Sequence, residues 1–155
     1  MLYIPYKVGE IIGTCTKCAS TSIANEFLPP QLNKLTSIAV VELKKSGWSV
    51  TGVIRDPIDR LESAYNFFQY GQQGIFPNGK RYESITHFVD SVLSGDADEH
   101  WLPQAGQLVL CTDFITLESF QISRTENSSE HIEKIANRSS ELVEYYMADI
   151  ALRGG

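Results

Sequence analysis

The stretch SVTGVIRDPIDRLESAY, residues 49–65, changes its periodicity halfway along. Its first part, 49–55, is short, apolar and β-branched, which is the pattern of a buried strand. Asp56-Pro57 then opens a helix. The acid supplies a capping oxygen, and proline at the first helical position loses no hydrogen bond. Beyond it Ile58, Leu61, Tyr65 and Phe68 recur at helical spacing and form one apolar stripe. A strand that runs directly into a helix is the building unit of an α/β domain.

The same alternation extends in both directions. Upstream, EIIGTCT (10–16) reads as a strand entered from Gly9, and STSIANEFL (20–28) as a helix. Ser20 or Thr21 is placed to cap that helix, and Pro29-Pro30 stop it. Residues 35–46 put Leu35, Ile38, Ala39 and Leu43 near one helical face, with Gly47 ending the run. Downstream, the helix after Asp56 ends in a Gly-rich turn, 71–79. Residues 83–94 form another amphipathic helix, with Ile85, Phe88, Val89 and Val92 on one side. A short strand is expected within 106–120, and helices over 128–137 and 139–152, the last capped by Ser139 or Ser140. No repeat or long linker divides the chain. The expected fold is therefore a single α/β domain over 1–155, P-loop-like and three-layered, with a mostly parallel central sheet between helices. Such sheets bind ligands at the carboxyl ends of their strands, where loops 16–22 and 55–63 both lie.

The 155 residues carry 13 Lys+Arg against 19 Asp+Glu, a formal charge of −6. That balance excludes a chain dominated by nucleic-acid binding, which needs a broad basic footprint, but it leaves room for a local basic pocket. No apolar run is long enough to span a membrane, and MLYIPYKVGE carries no secretory pattern, so a cytoplasmic protein is expected. In that setting the sequons at Asn127 and Asn137 carry no meaning. Three cysteines are an odd number, which argues against a disulfide framework.

GTCTKCASTS, residues 13–22, combines two chemistries. Lys17 followed by Ala19, Ser20, Thr21 and Ser22 makes a small, hydroxyl-rich turn before a helix. There free N–H groups and the helix dipole favour an anion. The Walker sequence G-x-x-x-x-G-K-[ST] is absent. The plainer alternative is a lysine in an exposed turn before a capped helix. Cys15 and Cys18 form a C-x-x-C pair, but with Cys111 they supply only three of the four ligands a structural zinc site needs. Cys15 also falls inside the apolar strand, where cysteine is usually a small buried hydrophobe. The second loop is more specific. The fork of Arg55 and the hydroxyl of Ser63 point to one helix start and suit a second anion. Its plainer alternative is a helix cap with an Asp56–Arg60 surface pair.

Taken together, the two loops resemble the sulfotransferase family, in particular its carbohydrate-type branch. TKCASTS (16–22) looks like the P-K-x-G-S-T-S loop that holds the 5′-phosphosulfate of 3′-phosphoadenosine 5′-phosphosulfate. RDPIDRLESAY (55–65) matches the R-D-P-x-x-R-x-x-S-x-Y segment that holds the 3′-phosphate. His100-Trp101-Leu102-Pro103-Gln104 is similar to the H-W-x-P-Q element, and DFITLESF (113–120) to D-F-I-x-x-E-x-F. ENSS (126–129) and SSELVEYYMADIAL (139–152) resemble the family's late Asn-Ser and Y-x-x-D features. Thr16 replaces the usual proline and Ala19 a frequent glycine, and neither change removes a donor. YIPYKVGE (3–10) mimics the start of an anion loop, yet no Ser/Thr turn or helix follows it. Residues 23–54 make a short spacer between the two loops, and no counterpart of the Golgi anchor of the family's animal members is expected. An acceptor part that is reduced, or supplied by another subunit, is therefore expected.

The resemblance implies transfer of a sulfuryl group from that donor to a hydroxyl or amine of a carbohydrate or small metabolite, without a metal. Lys17 would neutralise the leaving phosphate, with Ala19, Ser20, Thr21 and Ser22 cradling the 5′ end. Arg55 and Ser63 would hold the 3′-phosphate. His100 is the best candidate for a general base, with Glu26 as another; the plainer alternative is that His100 and Trp101 pack and hydrogen-bond a loop. His87 and His131 read as surface residues, Glu118 as structural, and Tyr145, Tyr146 and Asp149 as parts of a packing helix. Three alternatives compete: a non-catalytic nucleotide-binding relative without an acceptor site, a P-loop kinase-like phosphotransferase, and a thiol oxidoreductase. Cys18→Ser would abolish activity in the last. In a sulfotransferase the damaging changes are Lys17→Ala and Arg55→Ala.

Overall fold

The computed structural model describes residues 1–18, 34–118 and 133–154. Four strands form one sheet in the order β1 (Leu2–Lys7), β2 (Glu10–Thr14), β3 (Ser49–Ile54) and β4 (Asp113–Thr116). β1 and β2 are antiparallel, whereas β2–β3 and β3–β4 are parallel. The fold is thus mixed α/β with a mostly parallel sheet. YIPYK, within the mimic of an anion loop, proves to be part of edge strand β1. Pro5 is tolerated there because an edge strand has one unpaired side. Gly9, at a φ of 84°, turns the chain from β1 into β2.

Helix α1 (Ser37–Lys45) follows a Thr36 cap and crosses back to β3. Its buried residue is Val40, whereas Ile38 is 78 % exposed. Leu35 and Leu43 of the expected face pack against the same cluster as Val40, so the expectation is corrected at Ile38. Ile38, Ala39, Val40 and Val41 are apolar in succession, so the sheet rather than the periodicity selects which of them is buried. Val40 packs with Tyr3, Ile11 and Val50 on one sheet face, and Ile4, Ile12, Val53 and Leu117 cluster on the other. Adjacent residues of each strand take opposite faces, as the pleat requires.

Helix α2 (Pro57–Asn66) starts as the sequence indicates, with the Asp56 carboxylate accepting the N–H groups of Ile58 and Asp59. Its stripe of Ile58, Leu61, Tyr65 and Phe68 enters the largest cluster, with Phe88 and Val92 of α3 (Ile85–Leu93), Trp101 and Tyr146. After Asn66 the helix continues as a π-helical turn, Phe67–Gly71. A single helical turn, α4 (Gln104–Gln107), precedes β4.

Two expectations near the C-terminus change. The described residues of 128–137, namely 133–137, are not helical. Side chains of α2 take their backbone donors instead: Asn66 Oδ1 accepts Glu133 N–H and Glu62 Oε1 accepts Ile135 N–H. The helix expected over 139–152 is two, α5 (Ser140–Tyr145) and α6 (Met147–Leu152), broken at Tyr146. The expected helix at 20–28 and the ENSS feature lie outside the described residues.

Gly13 and Gly52 are register neighbours on β2 and β3. A methyl on Gly52 would sit 2.9 Å from the Phe114 ring and 3.1 Å from Cys111 Sγ. Gly52→Ala is therefore expected to destabilise the protein by about 1–3 kcal/mol, the usual range for overpacking. Urea denaturation monitored by circular dichroism will measure it.

Candidate functional site

A cleft of about 730 Å³ opens beside the C-terminal ends of β2 and β3. Lys17, Arg55, Ser63, Asn66, Phe67 and Lys134 line it, with Asp59, Glu62, Tyr70 and Gly71 completing the wall. Three residues expected to bind the donor, Lys17, Arg55 and Ser63, therefore share one cavity although they come from two separate loops. Ala19, Ser20, Thr21, Ser22, Glu26 and His131 lie outside the described residues.

The first loop follows β2 as a β-turn in which Cys18 N–H donates to Cys15 C=O at 3.2 Å. Lys17 occupies the turn with a φ of 63°, a left-handed conformation uncommon outside glycine, asparagine and aspartate. Arg55 Nη1 donates to Lys17 C=O at 3.0 Å, so the second loop braces the first. Lys17 Nζ lies 4.2 Å from the centre of the Phe67 ring, a cation–π contact. Burial and the neighbouring Arg55 charge both hold the Lys17 ammonium below the ordinary lysine range.

Arg60 carries the scaffold behind the cleft. Its side chain is fully buried, not paired with Asp56 at the surface as the plainer reading of the motif supposes. Nε donates to Thr16 C=O at 2.9 Å, Nη1 to Leu102 C=O at 2.7 Å and Nη2 to Glu99 C=O at 2.7 Å. Asp56 instead pairs with Arg138 at 3.0 Å.

Gln104 forms a second brace. Its Oε1 accepts Arg55 N–H at 2.9 Å and the Cys18 thiol at 3.1 Å, and its Nε2 donates to Arg55 C=O at 2.9 Å. Asp149 in turn accepts the backbone N–H groups of Gln104 and Ala105, both at 2.8 Å. Tyr146 Oη donates to Trp101 C=O. The H-W-L-P-Q stretch and the Tyr146–Asp149 helix thus belong to one hydrogen-bonded frame.

His100 is not among the residues lining the cleft. Its Nδ1 pairs with Asp98, and its ring meets the edge of Phe68 at 4.9 Å between centres. His87 is exposed beside Glu83, and Glu118 pairs with Arg153 at the surface. The sequence reading passed over Phe67, Tyr70 and Lys134. Phe67 and Tyr70 are aromatic residues off the apolar stripe of α2, and that displacement is the signal that identifies them. Lys134 has no comparable signal, because it reaches the cleft through the non-helical return at 133–137. Among the described residues no group of three or more His, Cys, Asp or Glu could hold a metal, and no helix is long and apolar enough to cross a membrane.

Compared with models of known families, with curated proteins and with solved structures, the chain matches none.

Replacing Arg60 leaves three carbonyls without their donor, each carrying a desolvation penalty of about 1–3 kcal/mol. Arg60→Met, which keeps much of the volume, is expected to lower stability by at least about 3 kcal/mol on that basis. Equilibrium denaturation will show whether it does; a loss within experimental error would mean that water replaces the guanidinium.

Proposed function

We propose that the cleft binds 3′-phosphoadenosine 5′-phosphosulfate and that the protein transfers its sulfuryl group to a hydroxyl or amine of a carbohydrate or small-metabolite acceptor. The observation that carries this reading is the convergence of Lys17 with Arg55 and Ser63 on one cleft, with Lys134 adding a further cation. The volume lies within the roughly 300–1,000 Å³ of small-molecule sites. A mostly parallel sheet with its loops at the strand ends supports the finer expectation of a P-loop-like, three-layer domain.

In this reading Arg55 and Ser63 hold the 3′-phosphate, and Lys17 meets the 5′ phosphosulfate. The S–O bond to the 5′-phosphate breaks as the acceptor oxygen or nitrogen bonds to sulfur. 3′-Phosphoadenosine 5′-phosphate departs, and its growing negative charge is met by the Lys17 ammonium. Positioning and charge stabilisation supply most of such catalysis, as in phosphoryl transfer. The wall also carries two carboxylates. Glu62 is tied to Ile135 N–H, and Asp59, four residues from both Arg55 and Ser63, belongs to the 3′-phosphate end in this reading. His100, the base that the resemblance implies, pairs with Asp98 and is not among the lining residues. Phe67 and Tyr70 offer apolar faces at the rim.

Calorimetric titration with 3′-phosphoadenosine 5′-phosphate tests the donor site, with ADP and adenosine 5′-phosphosulfate as controls. Binding is expected to need the 3′-phosphate. Ser63→Ala is expected to weaken it about tenfold, the loss of one hydrogen bond to a charged group, and Arg55→Lys by at least as much. Thermal melting of each variant separates lost binding from lost folding. Equal binding of ADP would sink the reading.

Lys17 also sets a pH dependence. Only its protonated form attracts the anion, and its pKa in the free protein lies below the ordinary lysine value. Affinity is therefore expected to fall as pH rises, beginning below the usual lysine range. Lys17→Met is expected to lower affinity at neutral pH and to remove that alkaline limb.

A further inference from the structure

We propose that Cys15 and Cys18 are a site of reversible disulfide formation, and that closing the disulfide moves Lys17 in the cleft. The two sulfurs lie 3.6 Å apart, both buried, across the β-turn that carries Lys17. A β-turn keeps the Cα atoms of its end residues within about 7 Å, which overlaps the range of about 4.4–6.8 Å found in disulfides. The sulfurs therefore need only approach to about 2.05 Å, with little change in the strand before them.

The pair is also chemically unequal. Pairing with the Cys18 sulfur, helped by the Arg60 charge, holds the Cys15 thiol below the ordinary thiol range despite burial. The same pairing and burial push Cys18 up. Cys15 is thus the nucleophile and Cys18 the resolving thiol. Cys111, pushed up to about 12 by burial, packs against the glycine pair and takes no part.

Buried thiols admit only a small uncharged oxidant, and hydrogen peroxide meets that condition. The Cys15 thiolate attacks one peroxide oxygen, the O–O bond breaks, and the departing hydroxide takes a proton and leaves as water. Cys15 is then a sulfenic acid. The Cys18 sulfur displaces its hydroxyl, the thiol proton leaves with it, and a second water forms. Two thiols and one peroxide become one disulfide and two waters.

The consequence for the cleft follows from the connections of Cys18. Its thiol donates to Gln104 Oε1, which also receives Arg55 N–H. Oxidation removes the thiol donor and draws the turn ends together. Lys17, at a φ of 63° and tied to Arg55 through its carbonyl, lies between them. The inference stands on this geometry whatever ligand the cleft takes.

The test uses the whole protein in reduced form, after hydrogen peroxide, and after peroxide followed by dithiothreitol. Denaturing alkylation and peptide mass mapping read the thiols. A brief pulse of acetic anhydride reads the acetylation rate of Lys17 against Lys45 and Lys80. One disulfide between Cys15 and Cys18 is expected, with Cys111 alkylated, together with a severalfold change in Lys17 labelling that dithiothreitol reverses. In Cys18→Ser, peroxide is expected to stop at a sulfenic acid on Cys15, trapped by dimedone. Free thiols throughout, a bond to Cys111, or a disulfide that leaves Lys17 labelling unchanged would each overturn the proposal. Absence of nucleotide binding would count against the sulfotransferase reading and not against this one.

Discussion

The Arg60 guanidinium, buried and bound to three backbone carbonyls, is the interaction on which the rest of the structure depends. A buried cation is costly unless its donors are occupied, and here Thr16, Leu102 and Glu99 occupy them. One side chain thereby fixes the loop after β2 and the segment before α4 to helix α2. The partners are carbonyl dipoles, not a carboxylate, and the buried Asp149 carboxylate of the same frame opposes the Arg60 charge at Cys15. The Arg60 charge helps the Cys18 pairing to lower Cys15, and it sits on the helix that follows Arg55.

The second brace extends this frame to the end of the chain. Asp149 holds the first turn of α4, Gln104 grips Arg55 on both sides of its peptide, and Cys18 joins the same side chain. Lys17 can keep an unfavourable backbone angle only because its neighbours on both sides are held. The result is a local basic pocket on an acidic protein, built where two parallel strands end. The π-helical turn after α2 then brings Phe67 against the Lys17 ammonium in a cation–π contact.

Much of the fold is legible in the residues themselves. Asp56-Pro57 marks the start of α2 because a capping carboxylate and a fixed φ act locally, and the stripe from Ile58 to Phe68 records which side is buried. Lys17, Arg55 and Ser63 are identifiable because loops at the ends of parallel strands face one way. The errors arise where local signals are silent. Helix α1 is apolar at four consecutive positions, Ile38 to Val41, so Val40 is chosen by the sheet. Residues 133–137 give up helical bonds to Asn66 and Glu62, which are far away in sequence. Tyr146 breaks the last helix where its hydroxyl bonds Trp101 C=O.

The sequence by itself determined the α/β alternation, the cap of α2 and the identity of the residues at the two strand ends, because each rests on neighbours within a few positions. Tertiary structure alone decided that Arg60 is buried, that Phe67, Tyr70 and Lys134 join the cleft, that His100 does not, and that the Cys15 and Cys18 sulfurs meet. Those outcomes depend on hydrogen bonds and contacts between segments distant in the chain. Burial decides them, since a buried charge or donor must find its partner wherever the fold provides one.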